Sequence, residues 1–284
     1  MSARIAQARA RLEAIAARER HDPRIHPYHG TRRWLHAHVT PLAVVLLHGL
    51  TNAPPQYDLL GAELAARGHN VLALRMPYHG YRDRMTDALA NLRAADLEAY
   101  ALRSLALGAL CGERVVVAGI SVGAVLAGWL AARARVDTAL AIAPFCGLHA
   151  LPGAANDALG AALRALPNAF GWWDPRRRKA QPPSHGYPRF ATRALGASIA
   201  PSTRLARARD GEHARRAVLV LNEHDPVINN AHARRRFAAL ARRGVAVETV
   251  VLQGLPHIHD VIEPAIPQAA VERVYPELFR LIEG

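Results

Sequence analysis

Along the chain, short runs made wholly of apolar residues alternate with longer stretches in which apolar residues return every three or four positions. The first pattern predicts strands buried on both faces, and the second predicts amphipathic helices. Strands are expected over residues 42–47, 70–74, 115–118, 138–143, 217–221 and 248–252. Helices are expected over 56–67, 96–110, 122–133, 231–243 and 271–282. In the first of these, Leu59, Leu60 and Leu64 form the apolar stripe and Gly68 is the stop signal. Strand and helix in strict alternation predict an α/β fold, with a mostly parallel central sheet flanked by helices.

The alternation breaks after the fourth strand. Residues 145–216 show no strand pattern, are rich in Pro, Gly and Trp, and hold one short amphipathic stretch at 159–166. A connection this long inside a compact domain is more often functional than idle. The expected organisation is therefore a core of residues 1–144 and 217–284, with 145–216 inserted as a helical lid. Leu151, Leu159, Leu163, Leu166, Phe170, Trp172 and Trp173 would make such a lid apolar beneath, and Phe170, Trp172 and Trp173 are the candidate substrate-binding residues. Residues 1–19 are rich in Ala and Arg but carry Glu13 and Glu19 and no apolar h-region. That reads as a surface helix rather than a targeting peptide, and places the protein in the cytoplasm.

Composition narrows the classes. At 284 residues and 51% hydrophobic, the chain can bury one large core. No run approaches the roughly 18–20 apolar residues that span a bilayer, so stable membrane insertion is not expected. Cys111 and Cys146 each sit in an apolar segment and are expected to be buried free thiols, with no metal-ligand spacing. The net charge of +13 raises the question of nucleic acid. Lys179 is the only lysine, however, and the arginines are scattered along helices as a GC-rich coding bias would scatter them. The dense run Arg176-Arg177-Arg178-Lys179 is read as solvated surface, and no nucleic-acid partner is expected.

The strongest chemical signal is Gly119-Ile120-Ser121-Val122-Gly123, placed directly between a predicted strand and a predicted helix. A glycine-rich turn with a bystander serine is the plainer alternative. The flanking strand and helix are the context a nucleophile elbow needs, because a sharp turn holds the serine in strained backbone beside helix N–H groups. A serine hydroxyl is a weak nucleophile, so a base must stand beside it and a third group must orient that base. The strand at 217–221 runs into Asn222-Glu223-His224-Asp225-Pro226, offering Asp225 as the acid with Glu223 in reserve. The strand at 248–252 runs into His257-Ile258-His259-Asp260. Two residues apart, the histidines cannot easily both face the serine; His259 is favoured and His257 is the alternative. An oxyanion hole needs two N–H donors, one just after the nucleophile and one from an earlier loop. Val122 supplies the first candidate, and Leu50, within Leu46-Leu47-His48-Gly49-Leu50-Thr51, the second.

These segments, with Met76-Pro77-Tyr78-His79-Gly80, resemble the α/β-hydrolase superfamily, specifically bacterial carboxylesterases and monoacylglycerol-lipase-like enzymes. The resemblance covers about residues 40–145 and 215–282, and the doubled histidine departs from it. It implies the α/β-hydrolase fold and a serine hydrolase without cofactor or metal, acylated on Ser121 and deacylated by water. The 78–80 turn, which resembles the one after the family's fourth strand, would be structural; if the apolar 145–216 segment covers Ser121, its composition points to uncharged esters of short to medium acyl chain, or monoacylglycerol-like ones, as small-molecule substrates. The same triad on an amide, a thioester or a carbon–carbon bond is the competing enzyme reading. A catalytically silent binding protein of this fold is the competitor from another class. The enzyme readings depend on Ser121, His259 and Asp225 forming one hydrogen-bonded row.

Overall fold

A computed structural model describes residues 2–173, 185–205 and 211–284. The basic run at 176–179 therefore lies outside the described residues.

Strand β2 (Thr40–Leu47) is buried over nearly its whole length, as a strand covered on both faces must be. Beside it on one side is β3 (Asn70–Ala73), and on the other β4 (Gly112–Ile120), then β5 (Thr138–Ile142), β8 (Arg216–Asn222) and β9 (Ala246–Leu252). All of these pair in parallel, as the alternation predicted. A seventh strand, β1 (Arg32–Trp34), closes the β3 edge antiparallel. It is three residues long and carries two arginines, so no apolar run announced it. The chain passes from β2 to β3 on one side and then crosses to β4 on the other. The carboxyl ends of β2 and β4 thus flank the point where strand order reverses, the crevice in which open α/β sheets bind ligands. Leu47 is paired with Gly119 there.

The helices are α1 (Ala3–His21), α2 (Asp58–Ala66), α3 (Ala94–Cys111), α4 (Val122–Ala131), α5 (Gly153–Ala165), α6 (Thr192–Thr203), α7 (Asn230–Ala241) and α8 (Val271–Glu283). Helix α1 is more than the expected surface helix. Ile5, Ala8, Leu12 and Ala16, at spacings of three and four, are buried and the helix packs on α3. The stripe expected in α2 is corrected as well. Leu60 and Leu64 are buried but Leu59 is exposed, its place taken by Gly61, over which the Trp34 ring lies so closely that a Cβ would overlap it. Cys111 and Cys146 are both free and buried.

Between β5 and β8 the chain forms α5, an antiparallel pair β6 (Phe170–Trp172) and β7 (Arg189–Ala191), and α6. The absence of strand pattern expected over 145–216 is thus corrected by these two short strands. Helix α6 is buried from Ala194 to Ser202 and packs on α3, α4 and α5, so this part of the segment belongs to the body of the protein. Among the described residues no helix is long and apolar enough to cross a membrane.

Candidate active site

Ser121 joins β4 to α4 with φ 57° and ψ −113°, a conformation L-residues seldom adopt. Close packing of the turn enforces it. A Cβ on Gly119 would lie 2.3 Å from the Gly123 carbonyl, and one on Gly123 would lie 1.8 Å from the Leu47 carbonyl oxygen. No side chain fits at either position, so the turn presses against the end of β2. The Ser121 N–H donates to Ile142 O at 2.9 Å, and its carbonyl accepts from Phe145 and Val125 at 3.0 and 3.1 Å. Such over-determined backbone is how strain of this kind is retained.

The candidate acid and base arrive from the ends of β8 and β9. Asn222, the last residue of β8, donates through Nδ2 to the carbonyls of both Pro256 and Ile258, at 2.9 and 2.8 Å. Those two bonds pin the loop after β9. His259 then places Nδ1 2.7 Å from Asp225 Oδ2, while His257 is exposed with its ring against His224. Glu223 is also exposed. Of the paired alternatives, His259 and Asp225 are the two that meet. Asp225 is wholly buried, and its other oxygen accepts the Val227 and Ile228 N–H groups at 2.8 and 3.2 Å. Burial disfavours the charged imidazole of His259, but the carboxylates of Asp225 and Asp260 outweigh it and hold its pKa above the usual 6.5.

The expected hydrogen-bonded row is closed on one side only. His259 Nε2 is buried without a hydrogen-bond partner among the described residues, and Ser121 Oγ has none either. Both residues line one cavity of about 310 Å³. Catalytic hydrogen bonds commonly tighten only when substrate is bound. Among the described residues the N–H groups of Leu50 and Val122 also have no acceptor. The neighbouring N–H groups of the same loop are occupied. Gly49 donates to Gln56 Oε1 at 3.2 Å and Thr51 to His79 Nε2 at 3.2 Å.

Two buried histidines build that loop from within. His48 Nε2 accepts the Met76 N–H and His79 Nε2 accepts the Thr51 N–H. Each must therefore carry its proton on Nδ1, which donates to Gly49 O and to Pro77 O respectively. Burial pushes both pKa values down, His48 well below 6.5 and His79 to about 4, so both stay neutral acceptors. The 78–80 turn, which follows β3 in this chain, thus supports the loop that carries Leu50 and Thr51.

From the segment after β5, Trp173 and Tyr187 reach the cavity. Trp173 Nε1 donates to Thr51 Oγ1 at 2.8 Å, and the Tyr187 N–H donates to Thr51 O at 2.7 Å. Phe170 and Trp172, expected beside Trp173, are not among the cavity's lining residues. They share one face of β6, and Phe170 lies under the Arg189 guanidinium, whose carbon is 4.2 Å from the ring centroid. Thr51, Asn52, Gln56, Tyr187, Val227, Asp260 and Ile266 line the cavity without having been singled out as binding residues. Gln56 stood inside an expected helix, and nothing in its own neighbourhood marked it. Among the described residues no group of His, Cys, Asp or Glu could hold a metal.

Solved structures of similar fold include a metagenome-derived lipolytic enzyme from the LipS and LipT study, at TM-score 0.62 and 17% identity over 91% of this chain and 99% of that one. The monoacylglycerol lipase of Paleococcus ferrophilus matches at 0.61 and 18%, over 89% and 98%. A soluble variant of the monoglyceride lipase of Saccharomyces cerevisiae matches at 0.62 and 12%, over 89% and 90%. No curated protein matches the chain by sequence. The model of the α/β hydrolase family matches residues 44–266, more than half of the chain, and with the strand order and the strained Ser121 turn already described, the chain belongs to that family.

Proposed function

We propose that the chain is a serine hydrolase that cleaves carboxylic esters of short to medium acyl chain through an acyl-enzyme. The observation that carries this reading is a strained Ser121 and a His259–Asp225 pair opening on one cavity. In the proposed mechanism His259 takes the Ser121 proton as Oγ attacks the carbonyl carbon. The Leu50 and Val122 N–H groups receive the oxyanion, each worth roughly two to three powers of ten in rate. His259 then returns the proton to the departing alcohol, and water repeats the cycle to free the acid. Asp225 keeps the Nδ1–H tautomer and offsets the charge of the imidazolium. The cavity is near the lower end of the roughly 300–1,000 Å³ usual for ligand sites, and Leu50, Ile120, Val227, Ile266 and Trp173 make much of its wall apolar. Both features support short acyl chains. Within residues 145–216, the part that carries Trp173 and Tyr187 acts in this reading as the lid, resting on the site through those two residues.

The fold does not choose the leaving group. The test is therefore a panel of p-nitrophenyl esters of rising chain length, with matched thioesters and amides, given to wild type and Ser121→Ala. Ester turnover that peaks at short acyl chains and is lost in Ser121→Ala is expected. Turnover confined to amides or thioesters, or equal turnover by Ser121→Ala, would overturn the reading.

A further inference from the structure

The triad leaves part of the cavity wall without a role. Besides the apolar residues, Asn52, Gln56 and Asp260 line it. Gln56 Oε1 accepts the Gly49 N–H, and that bond orients the amide so that Nε2 donates to Asp260 Oδ2 at 2.7 Å. Asn52 Nδ2 approaches the same oxygen at 3.4 Å. The other oxygen receives only the Ile262 N–H, at 3.3 Å. A carboxylate has about four acceptor positions, so this one keeps room for a further donor, and two of its three present bonds are long.

Charge makes the same point. The chain carries 36 arginines and lysines, yet among the described residues none pairs with Asp260. Glu263, the carboxylate whose charge raises the Asp260 pKa, is engaged with His185 at 2.7 Å. Among the described residues the one cation that acts on Asp260 is the imidazolium of His259, and Asp225 already holds that ring by a hydrogen bond. Burial and Glu263 raise the Asp260 carboxyl to about 6, so it is anionic at neutral pH. A largely buried carboxylate whose donors are all neutral is costly unless a cation meets it.

Position indicates where that cation comes from. Asp260 directly follows His259, the group that hands its proton to the departing alcohol, and the apolar surface remains for the acyl chain. We propose that Asp260, held by Gln56 and Asn52, is a specificity-determining residue that binds a protonated amine on the alcohol portion of the substrate, so that esters of amino alcohols with short apolar acids are the preferred class. This rests on the ester-hydrolase reading above and narrows it.

A pair of isosteric butyrates tests the proposal: 2-(dimethylamino)ethyl butyrate, whose amine is protonated at pH 7.5, and 3-methylbutyl butyrate, in which a CH replaces the N–H⁺. The quantity read is the ratio of kcat/KM for the cationic over the neutral ester, within each protein. Wild type should show a ratio of at least about ten, the usual reward for a hydrogen bond to a charged group. Asp260→Asn should bring it to about one. Asn52→Lys, which supplies an ammonium from the protein and keeps the carboxylate, should do the same and serves if Asp260→Asn does not fold. A wild-type ratio near one, or a ratio unchanged in both variants, overturns the proposal and leaves the ester reading standing. If Asp260 serves only to steady the His259 imidazolium, both esters slow equally and the ratio is unmoved, which also overturns it. Failure of wild type to cleave either butyrate or any p-nitrophenyl ester ends the ester reading, and this one with it.

Discussion

His259 Nδ1 lies 2.7 Å from Asp225 Oδ2, and Asp225 has no other side-chain partner among the described residues. Replacing Asp225 by Asn keeps the shape but removes the acceptor that selects the Nδ1–H tautomer. In the proposed mechanism, kcat/KM for the best ester should fall by about three to four powers of ten with little change in KM. Steady-state kinetics of the folded variant checks this, and a loss under tenfold would mean that the pair does not orient the base.

The same pair sets a pH dependence. His259 must be neutral to accept the Ser121 proton, and its pKa is raised, because two carboxylates outweigh the effect of burial. Activity should therefore climb with pH through an inflection above 6.5. Asp225→Asn removes an anion that favours the imidazolium, so its inflection should move to lower pH. The pH profile of kcat/KM reads both values.

These expectations draw unevenly on the sequence. The turn around Ser121 was legible because its causes are local: two glycines with no room for a Cβ, between an apolar run and a helix. The chain order of acid and base was legible because loops after strands carry them. His257 and His259 stayed ambiguous in sequence because the deciding contact is remote, the Asn222 amide that pins the carbonyls on either side of His257. The Asp260–Gln56 bond joins residues 204 positions apart and leaves no periodic trace. Phe170, Trp172 and Trp173 looked equivalent as apolar residues. A two-residue strand period separates the first two from the third, and β6 is too short to show that period in advance.

Asp260 carries a stability prediction with a definite sign. Its folded pKa is about 6 against an ordinary 3.8. A raised folded pKa means that the contribution is fully present below about pH 3.8 and is lost as pH rises through about 6. Wild type should thus lose up to about 3 kcal/mol over that window relative to Asp260→Asn. Urea melts of both proteins at pH 4 and pH 7 measure the difference, and an equal gap at both pH values would contradict it.

Ser121 holds its backbone at φ 57°, a conformation natural to glycine. Ser121→Gly should be inactive yet more stable by about 1 kcal/mol, the relieved strain less the added freedom of the unfolded chain. Gly123→Ala should do the reverse, since its Cβ would fall 1.8 Å from Leu47 O and the end of β2 has to give way. Thermal melts of the two variants order them, and a destabilised Ser121→Gly would show that the turn is not strained.

Thr51→Val keeps the side-chain volume but loses the acceptor for Trp173 Nε1. If that bond holds Trp173 over the site, KM should rise about fivefold, the worth of roughly 1 kcal/mol, with kcat less affected. Trp173 emission should change with it. Unchanged KM and emission would mean that the contact is incidental.

The most direct measurement is the mass of the protein and of its Ser121 peptide after exposure to a fluorophosphonate. One adduct on Ser121 is expected in wild type and in His257→Ala, and none in His259→Ala. An unmodified Ser121 in wild type, or labelling that survives the loss of His259 but not of His257, would contradict the assignment of nucleophile and base.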